Sequence, residues 1–312
     1  NPPYLSKMEG ALKKYVTVKY KDYSSDLFAV FIRRNFDLTE ENGYLGFMTP
    51  FVWMFIKSYE KLRYYILSNK SISTLVQMEY SAYEEATVPI CSFVLSNNKS
   101  KSIGYYFRLS DFKGGMEVQK QKVLEAIKNK DCGYFYEADS NNFSKIPGDP
   151  FAYWISDKFV STFENDLVGD IVQSKAGVVT GNDPYFVRCW YEINLKDIGF
   201  SKNEIDEYPK YAIMQKGGPF RRYYGNNWYV IKLNDLYDGK KTNVSVRRGD
   251  ADYYFKKGIG WSQIGSNQGK SFRIIEKSIC GTATPTIYVD DDEKYYYLLG
   301  LLNSPITEVV VN

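Results

Sequence analysis

Residues 27–95 switch repeatedly between two apolar patterns, and this alternation constrains the fold of the chain more than any other feature. Apolar residues within 27–38 repeat at helical spacing, and Ser25-Asp26 before them predicts a helix cap. Residues 44–48 form a short apolar run that stops before a proline. Residues 58–67 then predict a second helix, and residues 72–78 and 88–95 predict two further buried strands. The order helix, strand, helix, strand, loop, strand predicts the second half of a doubly wound α/β sheet that ends in a hairpin-like pair.

The pattern of apolar and turn-forming residues changes further along the chain. Residues 132–150 are loop-like, with asparagine, glycine and proline clusters. From Leu167 onward, short alternating segments separated by glycine-rich turns predict a mixed, mostly β domain with long loops. We therefore divide the chain into residues 1–112, the second half of an α/β sheet, residues 113–166, a connector, and residues 167–312, a mostly β domain. The α/β sheet needs a first half, which this chain does not contain.

Composition excludes several classes of site and function. The chain has no histidine, which excludes Ser-His and Cys-His hydrolases and histidine-ligated metal enzymes. Its four cysteines are scattered without paired spacing, so neither a disulfide framework nor a zinc site is expected, and a cytoplasmic location fits. The longest apolar run, residues 47–56, is too short to cross a bilayer, so no membrane association is expected. No export leader opens the chain, and a start at Asn1 is interpreted as a truncation.

The opening Asn1-Pro2-Pro3-Tyr4 carries the clearest chemistry. The exocyclic amine of adenine is a poor nucleophile because its lone pair is delocalised into the ring. A site that accepts hydrogen bonds from both amine hydrogens draws this nitrogen toward tetrahedral geometry and aims its lone pair at a methyl donor. The Asn1 side-chain oxygen can accept one bond and the Pro2 carbonyl the other, since Pro3 stiffens the backbone. Tyr4 can stack on the base. Fixed dipoles then stabilise the developing charge without a metal or a nucleophilic cysteine, although Asn-Pro-Pro can also be a plain turn.

A basic stretch crosses the mostly β domain. Residues 216–273 contain 12 Lys and Arg residues against 4 Asp residues, an excess of 8 positive charges, and aromatic residues are interleaved with them. Cations beside aromatic rings are typical of phosphate contact combined with base stacking. A solvated β-rich surface would have the same composition, so both interpretations stay open on the residues alone.

The chain resembles gamma-class adenine-N6 DNA methyltransferases well beyond the first four residues. Ser25-Asp26-Leu27-Phe28 is similar to the helix that follows the Asn-Pro-Pro-Tyr motif in that family, and residues 42–50 are similar to its next strand. The resemblance implies a methyltransferase α/β fold for residues 1–112. It also implies that Tyr83, just before the strand at residues 88–95, is a second aromatic residue stacking on a flipped adenine.

The resemblance narrows to the PglX-type methyltransferases of bacteriophage-exclusion (BREX) systems. Residues 58–63, 177–186, 216–226, 253–262 and 299–304 all look like that family. It implies adenine methylation of double-stranded DNA in phage defence or restriction-modification, with other defence-system proteins as further candidate partners. It makes the mostly β domain a target-recognition domain, whose expected DNA contacts are Lys216, Arg221, Arg222, Lys256, Lys257, Lys270 and Arg273.

The family's glycine loop for S-adenosylmethionine and its ribose-binding acidic residue are expected upstream of Asn1, so the cofactor belongs to the full-length protein only. Gly258-Ile259-Gly260 does not replace that loop, because it lacks a strand–turn–helix setting. The fragment alone is therefore expected to be inactive. Two alternatives remain: a DNA-recognition module, and a protein-interaction module of a defence complex. Salt-dependent binding of duplex DNA would separate them.

Overall fold

The computed structural model describes residues 1–80, 82, 88–99, 102–175, 177–207, 210–233, 247, 249–264 and 269–311. The chain divides into two compact units, unit 1 (Asn1–Asp166) and unit 2 (Leu167–Asn312). Each unit buries its own apolar clusters, as an independent domain must. The finer division of unit 1 into residues 1–112 and 113–166 stays a prediction. Among the described residues, no helix is long and apolar enough to cross a membrane.

Unit 1 is a mixed α/β unit. Its helices are α1 (Gly10–Lys19), α2 (Leu27–Leu38), α3 (Glu60–Asn69), α4 (Gly115–Lys128) and α5 (Asp157–Val160). Its strands are β1 (Tyr44–Pro50), β2 (Ser71–Gln77), β3 (Ile90–Ser96), β4 (Ile103–Arg108) and β5 (Phe135–Asp139). Short 3-10 turns cover Lys21–Tyr23, Phe51–Met54, Lys57–Tyr59, Ser140–Lys145 and Ser161–Glu164.

The five strands of unit 1 form one sheet in the order β1-β3-β2-β4-β5. Strand β3 lies between β1 and β2 and runs antiparallel to both, so β1 and β2 run in the same direction. Strand β4 is parallel to β2. The predicted alternation of helices and strands, and the hairpin-like pair that ends it, are confirmed.

The loop prediction for residues 132–150 was wrong, because β5 lies within them and pairs antiparallel with the edge strand β4. The ring of Phe135 packs on that of Phe107, 5.1 Å between centroids. This strand depends on its partner: five residues between glycine- and asparagine-rich flanks carry little strand signal until β4 offers hydrogen bonds and rings to pack against.

The core of unit 1 lies between the sheet and its helices and is rich in aromatic residues. Trp53 is fully buried, with its ring centroid 4.9 Å from Phe93 and 5.1 Å from Phe151. The Trp53 indole N–H donates to the Thr49 hydroxyl at 3.1 Å, so its polar group is satisfied. These contacts place Trp53 within the apolar core of unit 1.

Unit 2 is mostly β, as expected. Its strands are β6 (Gln173–Lys175), β7 (Val187–Cys189), β8 (Ile198–Gly199), β9 (Tyr211–Gln215), β10 (Tyr229–Lys232), β11 (Gly258–Trp261), β12 (Phe272–Ile275), β13 (Ile279–Cys280) and β14 (Thr286–Tyr288). One sheet has the order β13-β9-β10-β7, with β8 also pairing β9, and the other has the order β12-β11-β14-β6. Its helices are α6 (Val168–Ile171), α7 (Asp183–Phe186), α8 (Lys202–Glu207), α9 (Asp292–Leu302) and α10 (Pro305–Val311).

Helix α9 gives the acidic run at residues 290–293 a structural role that the sequence reading did not assign. The Asp291 side chain caps the helix by accepting from the Lys294 backbone N–H at 3.0 Å. Asp292 and Glu293 lie in the first turn, where negative charge is favourable because of the helix dipole. The run thus starts a helix whose Tyr295, Leu298 and Leu299 are buried against β11 and β12.

Candidate functional site

The Asn1–Tyr4 segment brings its two proposed catalytic side chains together. The Tyr4 hydroxyl donates to the Asn1 side-chain oxygen at 3.0 Å. Asn1 and Tyr4 are exposed, while Pro2 between them is buried. The edge of the Tyr4 ring meets the Phe28 ring at 6.1 Å between centroids. An amide oxygen and an aromatic face are therefore presented to solvent from a buried proline anchor.

Asp26 holds this segment in place. Its Oδ1 accepts from the Leu5 backbone N–H at 2.9 Å and from the Phe28 backbone N–H at 3.2 Å. The second bond caps α2, which confirms the predicted cap. The first bond fixes the residue directly after Tyr4, and the Leu27 backbone N–H returns a bond to the Leu5 carbonyl at 3.2 Å. The sequence reading found the cap but missed that the same carboxylate ties the motif to α2.

The wall behind Phe28 comes from the start of α3. The Tyr59 ring packs 5.3 Å from the Phe28 ring, and the Ser25 hydroxyl donates to the Ser58 carbonyl at 2.9 Å. Burial, with a smaller contribution from the charge of Asp26, raises the pKa of the Tyr59 hydroxyl to about 12. The hydroxyl is therefore neutral at physiological pH, and the support behind the motif is aromatic and uncharged.

Tyr83 lies outside the described residues, so its place beside Tyr4 stays a prediction. Glu79, four residues before Tyr83, is anchored by two hydrogen bonds: its carboxylate accepts from the Gly114 and Gly115 backbone N–H groups at 2.9 and 2.6 Å. The Met78 backbone N–H donates to the Ile90 carbonyl at 3.0 Å, which closes the ends of β2 and β3 together. Met78 and Ile90, which lie on either side of Tyr83 in sequence, are thus hydrogen-bonded neighbours.

Two of the seven cations expected to contact DNA form close ion pairs within unit 2. Lys216 Nζ lies 2.6 Å from Asp183 Oδ2, and Lys257 Nζ lies 2.6 Å from Asp292 Oδ1. Partial burial opposes ionisation of Asp183, but hydrogen bonds from Lys216 and Thr180 outweigh it and lower the pKa of that carboxyl. Both lysines thus have carboxylate partners already.

Arg221 and Arg222 lie on a segment that is fixed to β12. The next residue, Tyr223, donates its backbone N–H to the Phe272 carbonyl and accepts from the Ile274 backbone N–H, each at 2.9 Å. Arg222 Nη2 is 3.4 Å from the Glu308 carboxylate, a looser pair than those of the lysines. This segment is exposed and rigidly placed, which suits a contact surface.

Two further cations of the set are Lys256, which is exposed, and Lys270, which is half-buried. Lys256 Nζ lies 4.6 Å from the centroid of the Tyr253 ring, an attractive cation–π geometry. Lys270 Nζ donates to the Gln263 carbonyl at 2.7 Å.

Arg273 does not belong to the exposed set, because its side chain is fully buried in unit 2. Its Nη2 donates to the Gly217 carbonyl at 3.2 Å, and burial lowers the pKa of the guanidinium. We correct the expectation for this residue: a cation in the interior cannot contact DNA without rearrangement. Spacing and composition could not reveal this, since arginine is mostly exposed in proteins.

Gly258 and Gly260 do not fit a cofactor loop. Both lie in β11, between β12 and β14. A Cβ at Gly258 would come within 2.8 Å of the Ile287 carbonyl oxygen, and one at Gly260 within 2.8 Å of the Ile275 side chain. The lack of side chains at these two positions allows neighbouring residues to pack closely around β11. We therefore assign no methyl-donor site to these glycines.

The chain is similar in sequence to a known protein family and to curated relatives. The family model described as "Eco57I restriction-modification methylase" matches residues 1–83. The adenine-specific methyltransferase PglX of Lacticaseibacillus casei (strain Zhang) is 32% identical over 97% of this chain and 26% of its own length. The adenine-specific methyltransferase BrxX of Escherichia coli O9:H4 (strain HS) is 30% identical over 97% of this chain and 25% of its own length.

The fold has a counterpart among solved structures. A nuclease-deletion mutant of the Type ISP restriction-modification enzyme LlaGI, in complex with a DNA substrate mimic, matches 100% of this chain and 32% of that chain, with a TM-score of 0.58 and 11% identity. This likeness concerns the fold alone.

The family expected from the motifs is thus confirmed, and the chain spans about a quarter of the length of the curated relatives it matches. The chain is thus PglX-like in sequence over 97% of its length, and residues 1–83 match the Eco57I-type methylase model.

Proposed function

We propose that the full-length protein methylates the exocyclic N6 of adenine at a specific DNA site, with S-adenosylmethionine as donor, in restriction-modification or phage defence. The observation that carries the proposal is the Asn1–Tyr4 segment, which presents an amide oxygen and an aromatic ring together and is pinned by Asp26. The relatives are named adenine-specific methyltransferases, which supports the same reaction.

Three groups of this chain act on the base. The Asn1 side-chain oxygen accepts a hydrogen bond from one amine hydrogen of adenine and the Pro2 carbonyl accepts from the other. The Asn1 oxygen has two lone pairs, so its bond from the Tyr4 hydroxyl leaves room for a second donor. The Tyr4 ring stacks on the flipped base, whose extraction from the duplex costs a few kcal/mol. When bound, the donor would supply the methyl group.

Replacement of Asn1 by Ala tests this assignment. Loss of the acceptor acts mainly in the transition state, so kcat should fall about a hundredfold or more, roughly 3 kcal/mol by analogy with removing one oxyanion donor. The measurement is formation of N6-methyladenine in duplex DNA by the full-length protein. Asn129→Ala, an exposed asparagine at the end of α4, is the matched control and should leave the rate unchanged. Wild-type methylation by the Asn1→Ala protein contradicts the assignment.

We propose that unit 2 is the target-recognition domain, with duplex DNA as its partner. The contacts we retain are Arg221, Arg222, Lys256 and Lys270, because they lie outside the core and, among the described residues, lack the close carboxylate pairing of Lys216 and Lys257. Arginine can bond two acceptors on a guanine edge, whereas lysine more often holds phosphate as a point charge.

The second candidate function is a binding module without catalysis, which applies to this chain in isolation. Gly258 and Gly260 of β11 pack closely against neighbouring residues and do not form a fitting site for the methyl donor. The isolated chain should therefore bind duplex DNA in a salt-dependent manner but neither bind the donor nor methylate DNA. Donor binding measured by calorimetry decides this point, and methylation by the isolated chain contradicts it.

A further inference from the structure

A polar cleft in unit 1 has a lining that begins at Ser6, two residues after Tyr4. It has a volume of about 440 Å³ and lies between residues 6–9 on one side and Lys13 and Thr17 of helix α1, with Ser24, on the other. Its base is apolar, because Met8 and Val16 are buried there. We call it the α1 cleft. Its volume is ample for one phosphodiester group with water.

The chemistry of the α1 cleft fits a phosphate. Lys7 and Lys13 supply two ammonium groups, and the hydroxyls of Ser6 and Thr17 can each donate a hydrogen bond, whereas the Ser24 hydroxyl already donates to the Lys21 carbonyl at 2.8 Å. Glu9 brings one negative charge, so the cleft has a net charge of one positive unit. A backbone phosphate of DNA carries one negative charge and oxygens that only accept, which complements this lining.

The two lysines are available for such a ligand. Within the part of the chain that the structure describes, neither Lys7 nor Lys13 has a carboxylate within 4.0 Å, and both are exposed. Lys216 and Lys257 of unit 2, in contrast, each lie 2.6 Å from a carboxylate oxygen. A lysine that already has a carboxylate partner gains less from a phosphate, so Lys7 and Lys13 are better placed to release counterions from DNA.

The position of the cleft along the chain determines which part of the DNA can reach it. Ser6 follows Tyr4 by two residues, so their Cα atoms are at most about 7 Å apart. An adenine stacked on Tyr4 stays covalently joined to the two phosphates of its own nucleotide. Those phosphates are therefore within reach of Ser6 and Lys7.

We propose that the α1 cleft binds a backbone phosphate of the target strand beside the flipped adenine. The inference rests on the proposed adenine methylation. Lys7 and Lys13 hold the phosphate by charge and the hydroxyls by hydrogen bonds, which fixes the flipped nucleotide without reading its sequence. They are positioning residues, because they act on the strand and not on the amine.

The first test uses the full-length protein and a matched pair of lysines on one helix. Lys13→Ala removes a lining residue of the cleft, and Lys14→Ala removes its exposed neighbour, which does not line it. Lys13→Ala should lower the slope of log Kd against log salt by about 0.9, the value for one phosphate contact, and weaken all duplexes equally. Lys14→Ala should leave the slope unchanged. Equal slopes for the two variants overturn the proposal.

A second measurement locates the phosphate. Duplexes with one neutral methylphosphonate linkage, on either side of the target adenine, remove the charge at a known place. The wild-type protein and Lys14→Ala should bind one of these duplexes several-fold more weakly than the unmodified duplex. Lys13→Ala should bind modified and unmodified duplexes alike, because the contact is already lost. If the loss of affinity from Lys13→Ala and the loss from the methylphosphonate linkage simply multiply, the two changes are independent. That result rules out a contact between Lys13 and this phosphate.

Glu9→Gln gives a change of opposite sign, which loss of folding cannot imitate. Removal of the Glu9 charge from the cleft should tighten binding of the unmodified duplex by several-fold and leave the methylphosphonate duplex unaffected. Unchanged affinity of Glu9→Gln for both duplexes counts against the proposal. Absence of methylation by the wild-type protein would instead refute the proposed function itself, so the two failures are distinguishable.

Discussion

Asp26 shows how one side chain can serve both a helix and a candidate catalytic segment. Its single oxygen Oδ1 accepts from a backbone N–H of α2 and from the backbone N–H that follows Tyr4. The cap follows from local sequence, because Asp at an N-cap satisfies an otherwise orphan donor. The second bond joins residues 21 positions apart and depends on the fold. A carboxylate found as a cap can thus act as a positioning group.

Replacement of Asp26 should reveal both roles. Asp26→Ala should lower the free energy of unfolding by about 1 kcal/mol through loss of the cap, and it should also lower kcat for methylation because Asn1 loses its anchor. Asp26→Asn keeps an accepting oxygen and should restore most of kcat. Urea unfolding and methylation kinetics of the full-length protein measure the two effects. Asp291→Ala removes the cap of α9 and serves as the control, with kcat unchanged. Normal kcat in Asp26→Ala would show that the residue is only a cap.

At the scale of elements, α3 is held in place by a buried arginine. Arg63 donates from Nη1 to the carbonyls of Trp53 and Ile56, each at 2.8 Å, and from Nε and Nη2 to the carbonyl of Gly148 at 2.9 and 2.6 Å. The guanidinium thus joins two carbonyls of the turn after β1 to the carbonyl of Gly148, which is 85 positions from Arg63 in sequence. The Ile56 carbonyl also accepts from the Tyr59 backbone N–H at 3.2 Å, so the Trp53 and Gly148 carbonyls depend most on Arg63, which links α3, the turn after β1 and the loop at residues 146–150.

Arg63→Met should destabilise unit 1 strongly. The substitution keeps an apolar stem but leaves buried carbonyls without donors, at a cost of about 3 kcal/mol. Urea unfolding followed by tryptophan fluorescence is suitable, since Trp53 lies in the same core. Arg34→Met on α2 replaces an exposed arginine with one loose ion pair and should change stability by less than about 0.5 kcal/mol. Equal stabilities of the two variants would contradict this role of Arg63.

On the scale of the whole molecule, exposed positive charge is distributed differently from what composition suggested. The stretch at residues 216–273 holds an excess of 8 positive charges. In the folded chain, however, Arg273 is buried, and Lys216 and Lys257 are close to carboxylates. Arg221, Arg222, Lys256 and Lys270 remain as the proposed DNA contacts of unit 2.

Substitutions within the basic stretch should therefore differ. Lys256→Ala should weaken all duplexes about equally and reduce the salt slope by about 0.9. Arg221→Ala or Arg222→Ala should relax sequence preference by about 1–3 kcal/mol if the residue reads a base. Arg273→Met should leave the slope unchanged, because a buried guanidinium displaces no counterions. Binding of the full-length protein over a salt series measures all four. A wild-type salt slope in every variant would show that these cations of unit 2 do not contact DNA. A reduced salt slope in Arg273→Met would show that Arg273 does contact DNA.

Local sequence by itself determined the α/β alternation of residues 27–96, the capped start of α2, the mostly β character of unit 2 and the family of the chain. These follow from residue spacing, turn residues and short motifs, which act over a few neighbouring positions. Only the tertiary structure decided that Asp26 anchors the motif, that β5 is a strand, that Arg273 is buried and that Ser6 and α1 line one polar cleft. Each of these depends on groups that are distant in sequence and meet only after folding, and a hydrogen bond, a strand pairing or the burial of a charge exists only once both partners are in place.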